Sequence, residues 1–279
     1  MYRTLIDADA LAGLLAHGDV ALFDCRFDLA DPDAGARLFA QEHIPGAAHL
    51  DLERDLSAPP SAEGGRHPLP ERGAFAERLR ALGVRAGDQV VVYDDAGGAQ
   101  AARAWWMLRW LGHEAVALLD GGLGAWRAQE YALEEGSARG RPAGDIVAGK
   151  PLAGTIDTAR ILASLGSGEL LVIDARTAAR FAGEPHPLDA RSGHIPGARN
   201  RFYGDNLAAD GRFKPADALR AEFAAVLQDT PPEHAALQCG SGVTACHDLL
   251  AMEIAGLPGA LLYPGSWSAW TADPRRPID

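Results

Sequence analysis

The residues best able to do chemistry lie in Gln238-Cys239-Gly240-Ser241-Gly242-Val243-Thr244-Ala245-Cys246. A cysteine follows a short apolar run, two glycines let the backbone curl, and a helical pattern begins at once. Consecutive N–H groups in such a loop can turn inward as an anion nest, and a helix N-terminus adds partial positive charge. That setting favours the thiolate, the nucleophilic form of a cysteine. A buried structural cysteine is the competing reading. It fits poorly, because a side chain leaving the strand here would face the cradle.

The elements that must position this loop are legible in outline. Residues 90–93, 172–174 and 235–238 read as strands, and residues 99–111 and 244–255 as helices. Short apolar runs alternating with helical patterns predict an α/β fold, a parallel sheet covered by helices on both faces. In such sheets the site lies beyond the carboxyl ends of the strands, which is where Cys239 falls.

The chain also repeats itself. LFDCRFDLADPDAGARLFAQEHIPGAAHL begins at Leu22 and VIDARTAARFAGEPHPLDARSGHIPGARN at Val172. Asp24 matches Asp174, and His43 matches His194. Downstream, VVVYD ending at Asp94 matches AALQC ending at Cys239, and GGLGAW matches GSWSAW. Ordered matches about 150 residues apart indicate two copies of one domain. The expected boundaries are 1–135 for the first, 136–153 for a Gly-, Pro- and charge-rich linker, and 154–279 for the second. Asp94 stands where the second copy has Cys239 and cannot carry a transferable sulfur.

The length of 279 residues suits two such domains. A formal net charge of -12 argues against nucleic-acid or anionic-membrane partners. The N-terminal stretch has acidic residues inside its apolar pattern and does not read as a signal peptide. No run is long and apolar enough for a membrane span. Three cysteines without CxxC spacing fit free thiols in a reducing compartment, so cytoplasm is expected. The nine histidines are dispersed without ligand spacing, so neither a metal nor a cofactor is expected.

The loop CGSGVTA resembles the active-site loop of 3-mercaptopyruvate sulfurtransferases, within the tandem rhodanese family. HIPGA occurring twice, GGRHPLP at 64–70, Ala102–Trp106, ARFAGE at 179–184 and GSWSAW at 265–270 extend the resemblance over nearly the whole chain. It implies two rhodanese-like α/β domains, an inactive first copy and a catalytic second one. It also implies a two-step exchange. The Cys239 thiolate takes a sulfur from a small anionic donor, becoming a persulfide, and then passes it to a thiol or cyanide acceptor. The amides of Gly240, Ser241, Gly242, Val243 and Thr244 would stabilise negative charge on the sulfur or donor.

The resemblance also proposes helpers. Arg180 matches a family arginine that binds the anionic donor, against a surface ion pair as the plain reading. Ser241 occupies a position that is serine or threonine in mercaptopyruvate enzymes and lysine in many rhodaneses, which favours mercaptopyruvate over thiosulfate. His67 matches a histidine proposed to work with that serine and an acidic residue, here expected to be Glu53. A second family arginine is missing from the loop before the second HIPGA. His186 falls near the expected position and Arg191 is displaced from it. His43 and His194 read as loop-bonding residues, Cys246 as core, and Trp267 as core or pocket wall.

Two rival functions compete with this reading. A phosphatase on the same fold needs an arginine at the position of Ala245, so that activity is not expected. A sulfur-carrier or binding module without small-donor turnover is the other rival, and thiosulfate is the alternative donor.

Overall fold

The protein is described here by a computed structural model covering residues 1–18, 20–137 and 140–279. Two units emerge. The first comprises Met1–Ala58, Pro70–Leu152 and Ala209–Arg212, and the second Pro59–Leu69, Ala153–Ala208 and Phe213–Asp279. The segment Pro59–Leu69 therefore groups with the second unit, although chain belonging to the first unit flanks it on both sides. Of the stretch read as a linker, Ala138 and Arg139 lie outside the described residues. Much of the rest is held on the first unit: Gly144 donates to the Arg80 carbonyl, Gly149 to that of Leu111, and Ile146 is buried.

In the first unit the strands β1 (Leu5–Ile6), β2 (Val20–Asp24), β3 (Ala48–His49), β4 (Gln89–Tyr93) and β5 (Val116–Leu119) form a parallel sheet of order β1-β5-β4-β2-β3. Central β4 carries Val90, Val91 and Val92, all fully buried, as a strand covered on both faces requires. The helix predicted over 99–111 begins at Ala101. The amides of Gln100 and Ala101 are engaged by the Asp94 carboxylate, which delays its start.

The second unit repeats the plan. β6 (Gly154–Thr155), β7 (Leu171–Asp174), β8 (Arg199–Asn200), β9 (Ala235–Gln238) and β10 (Leu261–Leu262) are parallel in the order β6-β10-β9-β7-β8. Helices flank both sheets. Trp267, Trp270, Tyr263, Ile161 and Ile195 share one buried cluster in this unit. The helix after Cys239 spans Ala245–Ile254, one residue shorter at each end than the sequence pattern suggests. Among the described residues no helix is long and apolar enough to cross a membrane.

The duplicated motifs have structural explanations. In each Asp-x-Arg the arginine folds back onto the aspartate, Arg26 Nη2 on Asp24 Oδ2 at 2.6 Å and Arg176 Nη2 on Asp174 Oδ2 at 2.7 Å. Both pairs are buried and further hydrogen-bonded, the condition under which buried ions are tolerated. The HIPGA histidines behave alike. His43 stacks on Phe39 and bonds its carbonyl through Nδ1 at 2.8 Å, and His194 does the same with Phe181 at 2.9 Å.

Behind the Cys239 loop, Asp248 on the helix Ala245–Ile254 is fully buried against Asn206, whose amide lies 2.6 Å from Oδ1. Burial pushes the carboxyl up to about 8, against the pull of Asn206 and Arg201. The unfolded chain binds that proton only below about pH 4, so the native state holds the extra proton between the two values. Stability from this group is therefore full at low pH and declines as pH rises towards about 8. Asp248→Asn, neutral throughout, should match the parent below about pH 4 and gain on it as pH rises, exceeding its Tm by several degrees near pH 8, roughly 3 °C per kcal/mol. Thermal unfolding of both proteins across that range checks this, and parallel Tm profiles would contradict it.

Candidate active site

β9 is the central strand of its sheet, and Cys239 is the first residue beyond its carboxyl end. The loop that follows is tied at both of its first two residues. Cys239 N–H donates to Ser266 Oγ at 3.1 Å, the Cys239 carbonyl accepts from Trp267 N–H at 3.0 Å, and the Gly240 carbonyl accepts from Ser268 N–H at 3.0 Å. Gly242 has φ +79, and a Cβ there would sit 2.4 Å from the Pro264 carbonyl oxygen. Only glycine meets both demands, a left-handed backbone and a close approach. Ser266, which anchors Cys239, is itself left-handed at φ 50, an uncommon conformation for a residue with a Cβ.

Among the described residues, the amides of Gly240, Ser241, Val243 and Thr244 have no acceptor. The first unit shows what such a loop can do. Asp94 leaves β4 at the matching place, and its carbonyl accepts from Leu123 N–H as that of Cys239 does from Trp267. The Asp94 carboxylate accepts from the amides of Ala96, Gly98, Gln100 and Ala101 at 2.8–2.9 Å. The loop thus folds around an anion that the chain supplies itself.

Two guanidinium groups border the Cys239 loop. A Cβ on Gly240 would lie 2.9 Å from Arg66 Nη2 and 3.2 Å from Arg180 Nη2. Arg180 is held by Asp189, with Nε on Oδ2 at 2.9 Å and Nη2 on Oδ1 at 2.6 Å. Arg66 is anchored through its backbone N–H to Ser268 Oγ and through Nη1 to the Leu188 carbonyl. Burial lowers the basicity of its guanidinium, and the charges of Cys239 and Asp189 restore part of it. The sequence reading did not single out Arg66. Its only signal is its place beside His67 in GGRHPLP.

His67 and Ser241 meet, with Nδ1 and Oγ 2.8 Å apart and both residues nearly buried. Glu53 belongs to the other unit. It is exposed in the first unit, where its backbone N–H donates to Asp51 Oδ1. His186 turns Nδ1 to the Leu188 N–H of its own loop. Arg191 donates to the carbonyls of Pro274 and Arg276, away from the loop amides. Cys246 is buried, with Sγ 3.4 Å from the Gly242 carbonyl, and Trp267 lies in the core with Arg176 4.4 Å from its ring centroid.

The rhodanese-like domain family matches the chain twice, over residues 7–129 and 157–273. A probable 3-mercaptopyruvate sulfurtransferase of Pseudomonas aeruginosa is 50% identical over 98% of this chain and 97% of its own length. A putative thiosulfate sulfurtransferase of Mycobacterium tuberculosis is 40% identical over 99% of this chain and 96% of its own. The crystal structure of the Escherichia coli 3-mercaptopyruvate enzyme superposes with TM-score 0.81 at 35% identity, covering 95% of this chain and 98% of that one. With two copies of the domain and relatives along its full length, the chain belongs to the tandem-domain rhodanese family of sulfurtransferases.

Proposed function

We propose that the protein transfers sulfur from 3-mercaptopyruvate, through a persulfide on Cys239, to a thiol or cyanide acceptor. The observation that carries the choice of donor is the Ser241–His67 hydrogen bond on the Cys239 loop. It places a neutral hydroxyl, backed by an imidazole, where a lysine would serve a dianion. The full-length relatives from P. aeruginosa and E. coli, named for mercaptopyruvate, support it.

In the first step the Cys239 thiolate attacks the donor sulfur. An S–S bond forms, the C–S bond breaks, and the electron pair leaves on carbon as the enolate of pyruvate. The proton of the donor thiol ends on that carbon, so the products are pyruvate and a persulfide. Ser241, held by His67, hydrogen-bonds the enolate oxygen as it gains charge and carries the proton. Arg66 and Arg180 hold the donor carboxylate, a task suited to the planar guanidinium fork. The free amides of Gly240, Ser241, Val243 and Thr244 take the charge of the sulfur. In the second step an acceptor thiolate or cyanide attacks the outer sulfur, and Cys239 leaves as thiolate.

Glu53 and His186 have weaker claims to roles here. Glu53 is exposed, and His186 is engaged by its own loop. Among the described residues Cys25, Cys239 and Cys246 form no disulfide, which suits work in the cytoplasm. Thiosulfate is the second reading, favoured by the name of the M. tuberculosis relative. There sulfite would leave in place of pyruvate.

Donor treatment followed by mass spectrometry should find one added sulfur, about 32 Da, on Cys239. Sulfur loaded elsewhere, or not at all, would defeat the assignment. Cys239→Ser should lose turnover with either donor by roughly a thousandfold or more. Arg180→Ala should lower kcat/KM about 10- to 100-fold, chiefly through KM, as loss of a charge-assisted contact does. Ser241→Lys should shift the ratio of kcat/KM values towards thiosulfate, and an unchanged ratio would remove Ser241 from donor choice.

A further inference from the structure

Both guanidinium groups at the loop are arginines, yet their charges are balanced very differently. Asp189 grips Arg180 with both carboxylate oxygens and also reaches Arg176, whose Nη1 lies 3.4 Å from Oδ2. Its side chain is 3% exposed. Burial pushes its carboxyl up, but the Arg180 bonds and the charges of Arg180, Arg176 and His186 outweigh that and hold it below the usual carboxylate range. Asp189 is therefore charged at neutral pH. Arg176 is already matched by Asp174. Among the described residues, Arg66 has no carboxylate in ion-pair contact.

The charges at the mouth can then be paired off: Asp174 with Arg176, and Asp189 with Arg180. Arg66 is left over, beside the Cys239 sulfur and within the field of Asp189. An incoming donor meets two guanidinium forks but only about one net positive charge, and the thiolate draws on that charge too. With the thiolate counted, one carboxylate shared by both forks leaves a single negative charge for the loop amides to meet, and a compact dianion leaves two.

We infer that Asp189 is a specificity-determining positioning residue: it holds the Arg180 fork at the Cys239 loop while cancelling its charge, so that the mouth favours a mono-anionic, carboxylate-bearing donor over a dianion. The inference rests on the reading of Cys239 as the sulfur-accepting residue and explains how its surroundings discriminate between donors. It works by withholding charge from the wrong ligand as much as by binding the right one.

The test compares the parent with Asp189→Asn and Asp189→Glu. The first readout is kcat/KM for 3-mercaptopyruvate and thiosulfate. The second is protection of Cys239 from alkylation by sulfate, a dianion, and by methanesulfonate, a mono-anion of similar shape. In the parent the two anions should protect at concentrations within about threefold of each other. Asp189→Asn should make sulfate protect at least about tenfold better and move the donor ratio towards thiosulfate by a similar factor, mainly through KM for thiosulfate. Asp189→Glu, which restores the charge, should keep the parental ratio. An unchanged ratio in Asp189→Asn, an equal loss with both donors, or parental protection tenfold stronger with sulfate than with methanesulfonate would overturn the proposal. The protection arm on the parent stands even if the substituted protein does not fold. Failure of Cys239 to accept sulfur from either donor would instead sink the reading of the site, and the protection assay would still report the charge balance.

Discussion

One backbone constraint underlies the whole arrangement. The chain leaving the central strand of each sheet must curl at once, and a hydrogen bond from the next crossing holds it there. In the first unit Leu123 N–H ties the Asp94 carbonyl, and in the second Trp267 N–H ties that of Cys239. In the first unit, the amides that follow are turned towards the side chain that leaves the strand. Four of them converge on Asp94. A carboxylate fills the first loop, and a sulfur stands at the entrance of the second.

The second unit departs from its copy by what surrounds that loop. Ser266 accepts from the Cys239 amide only because its own backbone adopts a left-handed conformation. Ser268 links the Gly240 carbonyl to the backbone of Arg66, which brings the segment Pro59–Leu69 to the site. His67 follows and meets Ser241. A single short segment thus delivers a guanidinium and an imidazole to the Cys239 loop.

Several parts of this were legible beforehand. The doubled HIPGA and Asp-x-Arg motifs revealed the duplication, and the strand–Cys–glycine–helix order marked the loop. The buried valines of β4 and the apolar run before Cys239 sufficed for a parallel sheet, since strands covered on both faces need uninterrupted apolar residues. Arg66 was not legible, because an arginine in a loop carries no periodicity that separates a ligand-facing group from a solvated one. His186, which falls near the position of the missing second arginine, has a donor nearer to hand that spacing does not reveal, the Leu188 N–H two residues on.

The sequence by itself determined the fold and the duplication and marked the candidate sulfur, since each rests on local order: apolar period, glycine placement, and the residue that ends a strand. Only the tertiary structure decided the charge around that sulfur. Arg66 lies far along the chain from Arg180 and Asp189, and their net effect depends on distances of a few ångströms between guanidinium and carboxylate groups. Coulomb interactions vary steeply over that range and with burial, and linear spacing along the chain carries neither quantity.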